Sequence, residues 1–203
     1  MRWAGFVIYA INLLEMEQKD IQFYDKFETT LEMNLLNQCS SLGLLEGTLL
    51  SSEDLDARWR EIAPEYMADA VPQLNDYPAA AIAWAGYVGM AVAHRWDEDW
   101  MKYSSEPYKA LYGERGFDDM DENIVQNILG LSLDSPEAIR LEEVMRGCAQ
   151  SAITQIRHEQ IEGQTTRAFY VFARTARVMF RIGAALELKR LGYRFEKVDT
   201  PVC

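Results

Sequence analysis

The chain has 203 residues, of which 49% are hydrophobic, and this is enough apolar material for the core of one folded domain. Its formal net charge of −12 disfavours binding to nucleic acid, because the phosphate backbone repels an acidic protein. The three cysteines are far apart and form no C-x-x-C motif, so we predict neither a disulfide framework nor a zinc site. This cysteine usage favours a reducing cytoplasm.

Residues 1–15, MRWAGFVIYAINLLE, form an apolar run with a single arginine. The run has the composition of a signal peptide, but no small-x-small cleavage motif follows it. We interpret it as an apolar extension of the first helix or as the result of a start codon upstream of Met16, with a targeting or anchoring role as the less favoured alternative. Residues 16–203 are then a single α-helical domain. The uncharged run 77–94 is rich in Ala and Gly, which favours a buried helix over a membrane span. Its Gly86 and Gly89 would let another helix approach closely.

Two helical regions are predicted before the central helix. Apolar residues between Met16 and Leu42 recur at steps of three, four and seven, which predicts a long amphipathic helix ended by Gly43 or Gly47. The segment SSEDLDARWREI then supplies a serine N-cap and acidic residues for a second helix. Three prolines are expected to divide the chain beyond this segment into short helices. They are Pro64, Pro72 and Pro78.

The second half of the chain continues the helical pattern. A central helix is predicted at about 77–103, Ser135 and Pro136 have the N-cap and first-turn residues of another long helix, and the last helix is predicted at about 165–191. Alternating strand patterns are limited to the first dozen residues and to YRFEKV at 193–198. We therefore predict an all-α bundle of four long helices plus two or three short helices, with little or no sheet.

The end of the central helix contains the first candidate site, within AHRWDEDW. On a helix of 3.6 residues per turn, Tyr87, His94 and Asp97 fall on one line. A His-x-x-Asp pair on a buried face can be half of a metal site, or a general base oriented by a carboxylate. A metal needs three or four ligands, and the other histidine, His158, lies on a polar edge, so we predict no metal and no cofactor. A structural hydrogen bond or ion pair is the favoured interpretation of the pair.

The last helix contains the second candidate, a stripe of arginines. Arg174, Arg177 and Arg181 lie on one side of this helix, and apolar residues cover the other. Between residues 164 and 194 there are seven basic residues and one acidic residue, Glu187. Guanidinium groups suit carboxylate or phosphate partners at partly buried sites. The stripe is interpreted first as a contact with the acidic remainder of the fold or of a second subunit. The alternative is a site for a small anion or an acidic protein segment.

These features predict a cytoplasmic helical-bundle protein that acts by binding, and that forms a homo-oligomer without nucleic-acid or membrane partners. The central and last helices are expected to pack so that the His-x-x-Asp pair meets the arginines in a partly buried ionic network. The alternative is a receptor or enzyme for a small anionic ligand, with its pocket between helices 77–103 and 165–191. The candidate ligand-binding residues are His94, Asp97, Tyr87, Arg174, Arg177 and Arg181. No catalytic residue is assigned, and enzymatic activity is the less favoured class.

Overall fold

A computed structural model describes residues 3–46, 49 and 52–194, with side chains from residue 20 onward. Helices account for every extended regular element of this part of the chain, so the predicted all-α fold is confirmed. The helices are α1 (Trp3–Ser41), α2 (Glu53–Ala70), α3 (Pro78–Tyr103), α4 (Met120–Asn123), α5 (Pro136–His158) and α6 (Thr166–Arg190). Short 3₁₀-helices lie at Val71–Leu74, Tyr108–Leu111 and Phe117–Asp119, and α4 continues as a π-helix over Ile124–Ile128.

Five of these helices have 18 or more residues, one more than predicted, because α2 continues through Pro64. Trp59 and Ile62 before the proline and Tyr66 after it are all buried, so core packing on both sides holds the helix together across the missing hydrogen bond. Pro78, by contrast, is the first residue of α3, where a proline is readily accommodated.

The two regions with possible strand patterns have different outcomes. The backbone is helical from Trp3, so the strand alternative for the first dozen residues is wrong. Residues 195–198 of the second pattern lie outside the described residues, as does Gly47. α1 ends before Gly43, whose φ of 72° is the left-handed conformation that favours glycine after a helix.

Side-chain caps set the start of three long helices. Each cap oxygen accepts a hydrogen bond from a backbone N–H in the first turn, which satisfies a donor that the helix itself leaves free. The pairs are Ser52 with Leu55 at 3.4 Å, Ser135 with Ala138 at 3.1 Å and Thr165 with Ala168 at 3.1 Å. The predicted N-cap at Ser135, followed by a proline at the first helical position, is therefore confirmed.

α6 lies at the centre of the bundle and is buried along most of its length. α1 runs parallel to it, since Arg174 pairs with Glu28 and Arg181 with Glu32. α3 is also parallel to α6, while α5 is antiparallel to α1 and α2 is antiparallel to α6. α6 is thus in contact with α1, α2, α3 and α5.

The backbones of α3 and α6 touch where glycines face each other. A β-carbon placed on Gly89 would lie 1.9 Å from the carbonyl oxygen of Phe180, and one on Gly183 would lie 1.9 Å from the carbonyl oxygen of Gly86. The sequence predicted this close approach from Gly86 and Gly89. At this level the interface between α3 and α6 has no space for a ligand.

Candidate functional site

His94 belongs to a largely buried ionic network. Its Nδ1 lies 2.7 Å from Oε1 of Glu187, whose side chain is fully buried. The Nε and Nη2 atoms of Arg190 each lie 2.7 Å from the same carboxylate, and this hydrogen bonding raises the pKa of Arg190. Burying a carboxylate is unfavourable unless donors surround it, and here a guanidinium fork and an imidazole do so. Glu187 is therefore the partner that holds His94 in place.

Asp97 and Tyr87 lie apart from this network. Asp97 is exposed, level with the residues that follow the end of α6, and its Oδ1 accepts a hydrogen bond of 2.6 Å from Tyr193. Hydrogen bonding to Asp97 raises the pKa of the Tyr193 hydroxyl. Tyr87 is 4% exposed, and burial raises its pKa. The three side chains of the predicted line therefore do not share one buried face of α3: Tyr87 is buried, whereas Asp97 is exposed.

The arginine stripe meets carboxylates of α1 and α2. Glu28 of α1 is buried and pairs with both Arg174 and Arg177. Arg177, on α6, bridges α1 and α2, because it also pairs with Asp56 of α2. The ion pairs are Arg174 with Glu28 and with Asp25 (3.0 Å), Arg177 with Glu28 (3.3 Å) and Asp56 (3.6 Å), and Arg181 with Glu32. All three arginines are thus engaged with the acidic remainder of the same chain.

The structure does not join the His-x-x-Asp pair to these arginines, which corrects the predicted network. Within the described residues, His94 pairs with Glu187, Asp97 with Tyr193, and the arginines with α1 and α2. The physical reason is the rotation of α6, which turns Gly183 and Glu187 towards α3 and the arginines towards α1 and α2. Glu187 was missed, although an isolated acid among basic and apolar residues signals a paired, buried charge.

A large groove opens between α2 and the first three turns of α6, and we call it the α2–α6 groove. Its volume is about 1470 Å³. Along α2 and the turn after it, the lining extends from Glu53 to Pro72, and from α6 it includes Phe169, Ala173, Arg174 and Arg177. Because α2 and α6 are antiparallel, the end of α2 and the start of α6 lie at the same end of this groove.

The groove changes in character along its length. The end near the start of α2 is acidic, the middle is basic, and the end near the start of α6 is apolar. These parts are formed by Glu53, Asp54 and Asp56, then by Arg60, Arg174 and Arg177, and then by Ala63, Met67, Val71, Phe169 and Ala173. Arg60 has no carboxylate partner among the described residues, whereas Arg174 and Arg177 are paired. A ligand here would meet apolar surface beside a free cation.

Two aromatic side chains stand exposed at the apolar end of the groove. Phe169 is 45% and Tyr170 48% exposed, and their rings pack edge to face with centroids 5.8 Å apart. Phe169 lines the groove itself. Exposed aromatic rings beside a concave apolar surface are typical of protein–protein contacts.

The structure brings Cys39 and Cys148 together, which their separation in sequence conceals. Their Sγ atoms lie 3.8 Å apart between α1 and α5, and both residues are buried. Cys203 lies outside the described residues. No cluster of three or more His, Cys, Asp or Glu side chains suited to a metal ion is found in the described part of the chain. Among the described residues, no helix combines the length and apolar character needed to cross a membrane.

The two ionic networks and the groove differ in what they can do chemically. The networks are internally paired, so they hold helices in register. The groove is open and combines apolar surface with charge, so it can receive a ligand. No protein family, curated protein or solved structure matches the chain. The groove is accordingly the best candidate for the functional site.

Proposed function

We propose that this protein is a cytoplasmic interaction protein whose α2–α6 groove binds an amphipathic helix of a protein partner. The observation that carries the proposal is the open groove of about 1470 Å³ with an apolar end and a basic middle. A helix that lays its apolar face into such a groove is a recurrent mode of peptide recognition. The cytoplasmic location rests on the cysteine usage of the sequence.

The dimensions of the groove favour a helix over a small molecule. Its volume exceeds the range of roughly 300–1,000 Å³ that is typical of small-ligand sites. The lining of α2 and the turn after it, from Glu53 to Pro72, spans about 28 Å at 1.5 Å per residue, which corresponds to roughly five turns of a helix. A partner helix of about 18 residues would fill this length.

The lining also defines the chemistry of the partner. Small side chains at Ala63 and Ala173 leave space for bulky apolar residues of the incoming helix. Arg60, which has no carboxylate partner in the described part of the chain, lies beside that surface, so an acidic residue flanking the apolar face would gain an ion pair. The groove therefore favours a helix that has bulky apolar residues at steps of three and four and a carboxylate at one end.

Selection from a library of helical peptides tests the proposal directly. Peptides are selected on the wild-type protein and then measured on Ala173→Trp, which fills the groove, and on Gln150→Trp, which adds the same side chain to an exposed face of α5. We expect the selected peptides to share apolar residues in helical spacing and to lose at least about tenfold in affinity on Ala173→Trp alone. Equal binding to both variants, or no selected peptide, would refute the groove as the binding site.

A second candidate function, a receptor for a small anion, rests on a different cavity. This cavity of about 210 Å³ lies between the turn at Gly43 and helices α5 and α6, and Arg140, Lys189 and Arg190 line it together with Glu137. Among the described residues, Lys189 pairs with Glu46 and Arg190 with Glu187 and Glu137, which leaves Arg140 without a carboxylate partner and able to bind a small carboxylate or phosphate. Thermal unfolding with inorganic phosphate and with acetate tests it, because a ligand of the native state raises the melting temperature. An unchanged melting temperature at high anion concentration rejects this candidate.

A further inference from the structure

Two buried thiols face each other across the interface of α1 and α5. The Sγ atoms of Cys39 and Cys148 lie 3.8 Å apart, and both residues are 0% exposed. A disulfide has a sulfur–sulfur distance of about 2.05 Å, so each sulfur would move by about 0.9 Å to form the bond. A movement of this size is within the range of a side chain and does not require the helices to separate. The pair is therefore positioned for a direct link between α1 and α5.

The hydrogen bond between the thiols makes the two sulfurs chemically unequal. It lowers the pKa of Cys39, whereas the same bond, together with burial, raises the pKa of Cys148. Cys39 therefore loses its proton more readily, and the thiolate is the nucleophile in sulfur chemistry. Cys148 keeps its proton and lies where it can attack an oxidised Cys39. A nucleophilic thiol beside a second, resolving thiol is typical of redox-sensitive cysteines.

A polar edge of the same interface separates the thiols from solvent. Beside the pair, the hydroxyl of Ser151 donates a hydrogen bond of 2.7 Å to the side-chain carbonyl of Gln38. One turn away, the side-chain amide of Asn34 donates a hydrogen bond of 2.9 Å to the side chain of Gln155. Asn34 is exposed and the other three residues are partly exposed. Because water can replace such hydrogen bonds at little net cost, this edge opens more easily than the apolar core.

The side chain of Gln38 lies between the thiols and open space. It follows Cys39 on the solvent side of α1, and its Nε2 would lie 3.1 Å from a β-carbon placed on Gly147, the neighbour of Cys148. Gln38 also lines a cavity of about 650 Å³ together with Val144, which is one turn before Cys148. Rotation of this one side chain would therefore connect the cavity with the pair. A small oxidant could then reach the sulfurs while the helices stay packed.

We propose that Cys39 and Cys148 form a reversible disulfide in response to a peroxide, and that Gln38 controls the access of the oxidant. The inference does not rest on the α2–α6 groove, to which neither cysteine contributes. In the reducing cytoplasm that the cysteine usage favours, disulfides are usually transient and redox-sensing. The pair is then a dithiol in the resting protein and a link between α1 and α5 under oxidation.

The oxidation proceeds in two balanced steps. The Cys39 thiolate attacks one oxygen of hydrogen peroxide, which breaks the oxygen–oxygen bond and gives a sulfenic acid and hydroxide. The sulfur of Cys148 then attacks the Cys39 sulfur, forms the sulfur–sulfur bond and expels the sulfenic oxygen as a second hydroxide. The protons of the two thiols convert both hydroxides to water. Two thiols thus lose two electrons to one peroxide, and a small dithiol reverses the link by exchange.

Peptide mapping of the folded protein after treatment with hydrogen peroxide tests the link. The full-length variant Cys203→Ser leaves two thiols in the chain. We expect a disulfide within one molecule between the peptides that contain Cys39 and Cys148, and its loss on addition of dithiothreitol. The melting temperature should rise on oxidation, because the link spans 109 positions and restrains the unfolded chain. Further replacement by Cys39→Ala should abolish this rise, which separates it from the oxidation of methionines.

A pair of variants tests the role of Gln38. Gln38→Ala removes the side chain between the cavity and the thiols, whereas Asn34→Ala removes a hydrogen bond of the same kind one turn away. We expect Gln38→Ala to form the disulfide about fivefold faster or more, the factor that one lost hydrogen bond supplies, and Asn34→Ala to react within about twofold of its parent. Equal acceleration in both variants would exclude Gln38 as the cover and assign access to separation of α1 from α5.

Other results overturn the disulfide itself. They are thiols that stay unreacted in an excess of peroxide, separate conversion of the two cysteines to sulfinic acids, and a link that appears only when the helical circular dichroism is lost. A disulfide between two molecules instead of within one would also exclude the proposal. The mapping uses the native Cys39 and Cys148, so its result does not depend on whether Cys39→Ala folds.

Discussion

The contact between α3 and α6 makes Gly89 a position where adding a single methyl group should destabilise the protein. A β-carbon there would lie 1.9 Å from the carbonyl oxygen of Phe180, whereas ordinary contacts begin at 3.4 Å. The two backbones would have to separate by about 1.5 Å, because neither can rotate away as a side chain can. Overpacking of this kind outweighs the gain in helix propensity of about 1 kcal/mol, so Gly89→Ala should lower the free energy of unfolding by about 2–4 kcal/mol.

Gly147 provides a matched control inside another helix. Its added β-carbon would lie 3.1 Å from Nε2 of Gln38, the end of a flexible side chain that can move by a few tenths of an ångström. Gly147→Ala should therefore be neutral or stabilise the protein by up to about 1 kcal/mol. Urea unfolding followed by circular dichroism measures both variants. Equal stability changes, or a loss below about 0.5 kcal/mol for Gly89→Ala, would refute the claim that the α3 and α6 backbones touch.

Three further predictions concern charge. Glu187→Gln should lower the free energy of unfolding by about 3–5 kcal/mol in urea titrations, whereas the exposed control Glu98→Gln should change it far less. Similar losses for the two variants would contradict the buried network. Burial raises the pKa of Asp121 above 3.8, so the folded protein keeps a proton on this carboxyl that the unfolded chain has already released. The free energy of unfolding therefore falls as the pH rises from 3.8 to the raised pKa of the folded state. Asp121→Asn should therefore be more stable than the wild type at neutral pH, with the difference disappearing below pH 3.8; a constant difference would contradict this cause. Burial also raises the pKa of Tyr66 and Tyr108 far above 10.0, so stability should fall above that pH, and part of the tyrosinate absorbance should appear only with the loss of helical circular dichroism. Complete ionisation of the tyrosines while the helical circular dichroism is intact would contradict the burial of Tyr66 and Tyr108.

Local sequence signals predicted most of the helices correctly. Ser135 and Pro136 mark the start of α5 because the hydroxyl and the missing N–H act within one turn. Pro64 was misread, since its effect on α2 depends on the buried residues around it rather than on the proline alone. The five-helix arrangement therefore differs from the predicted four at a point where packing outweighs local propensity.

At the candidate site, too, the sequence revealed features within single helices but not the contacts between distant segments. The arginine stripe and the close approach at Gly86 and Gly89 were visible in the periodicity of α3 and α6. The partners of the arginines, Glu28 and Glu32, lie about 150 residues away in sequence. The α2–α6 groove itself has no motif, because it forms where two antiparallel helices diverge.

Sequence by itself determined the helical class, several helix ends and the side of each helix that is apolar, because these follow from interactions within a few residues along the chain. The tertiary structure decided which faces meet. The rotation of α6 turned Glu187 towards His94 and the arginines towards α1. Helical periodicity shows which side of one helix is apolar, but which residues of other helices it contacts is decided only by how several helices pack against one another.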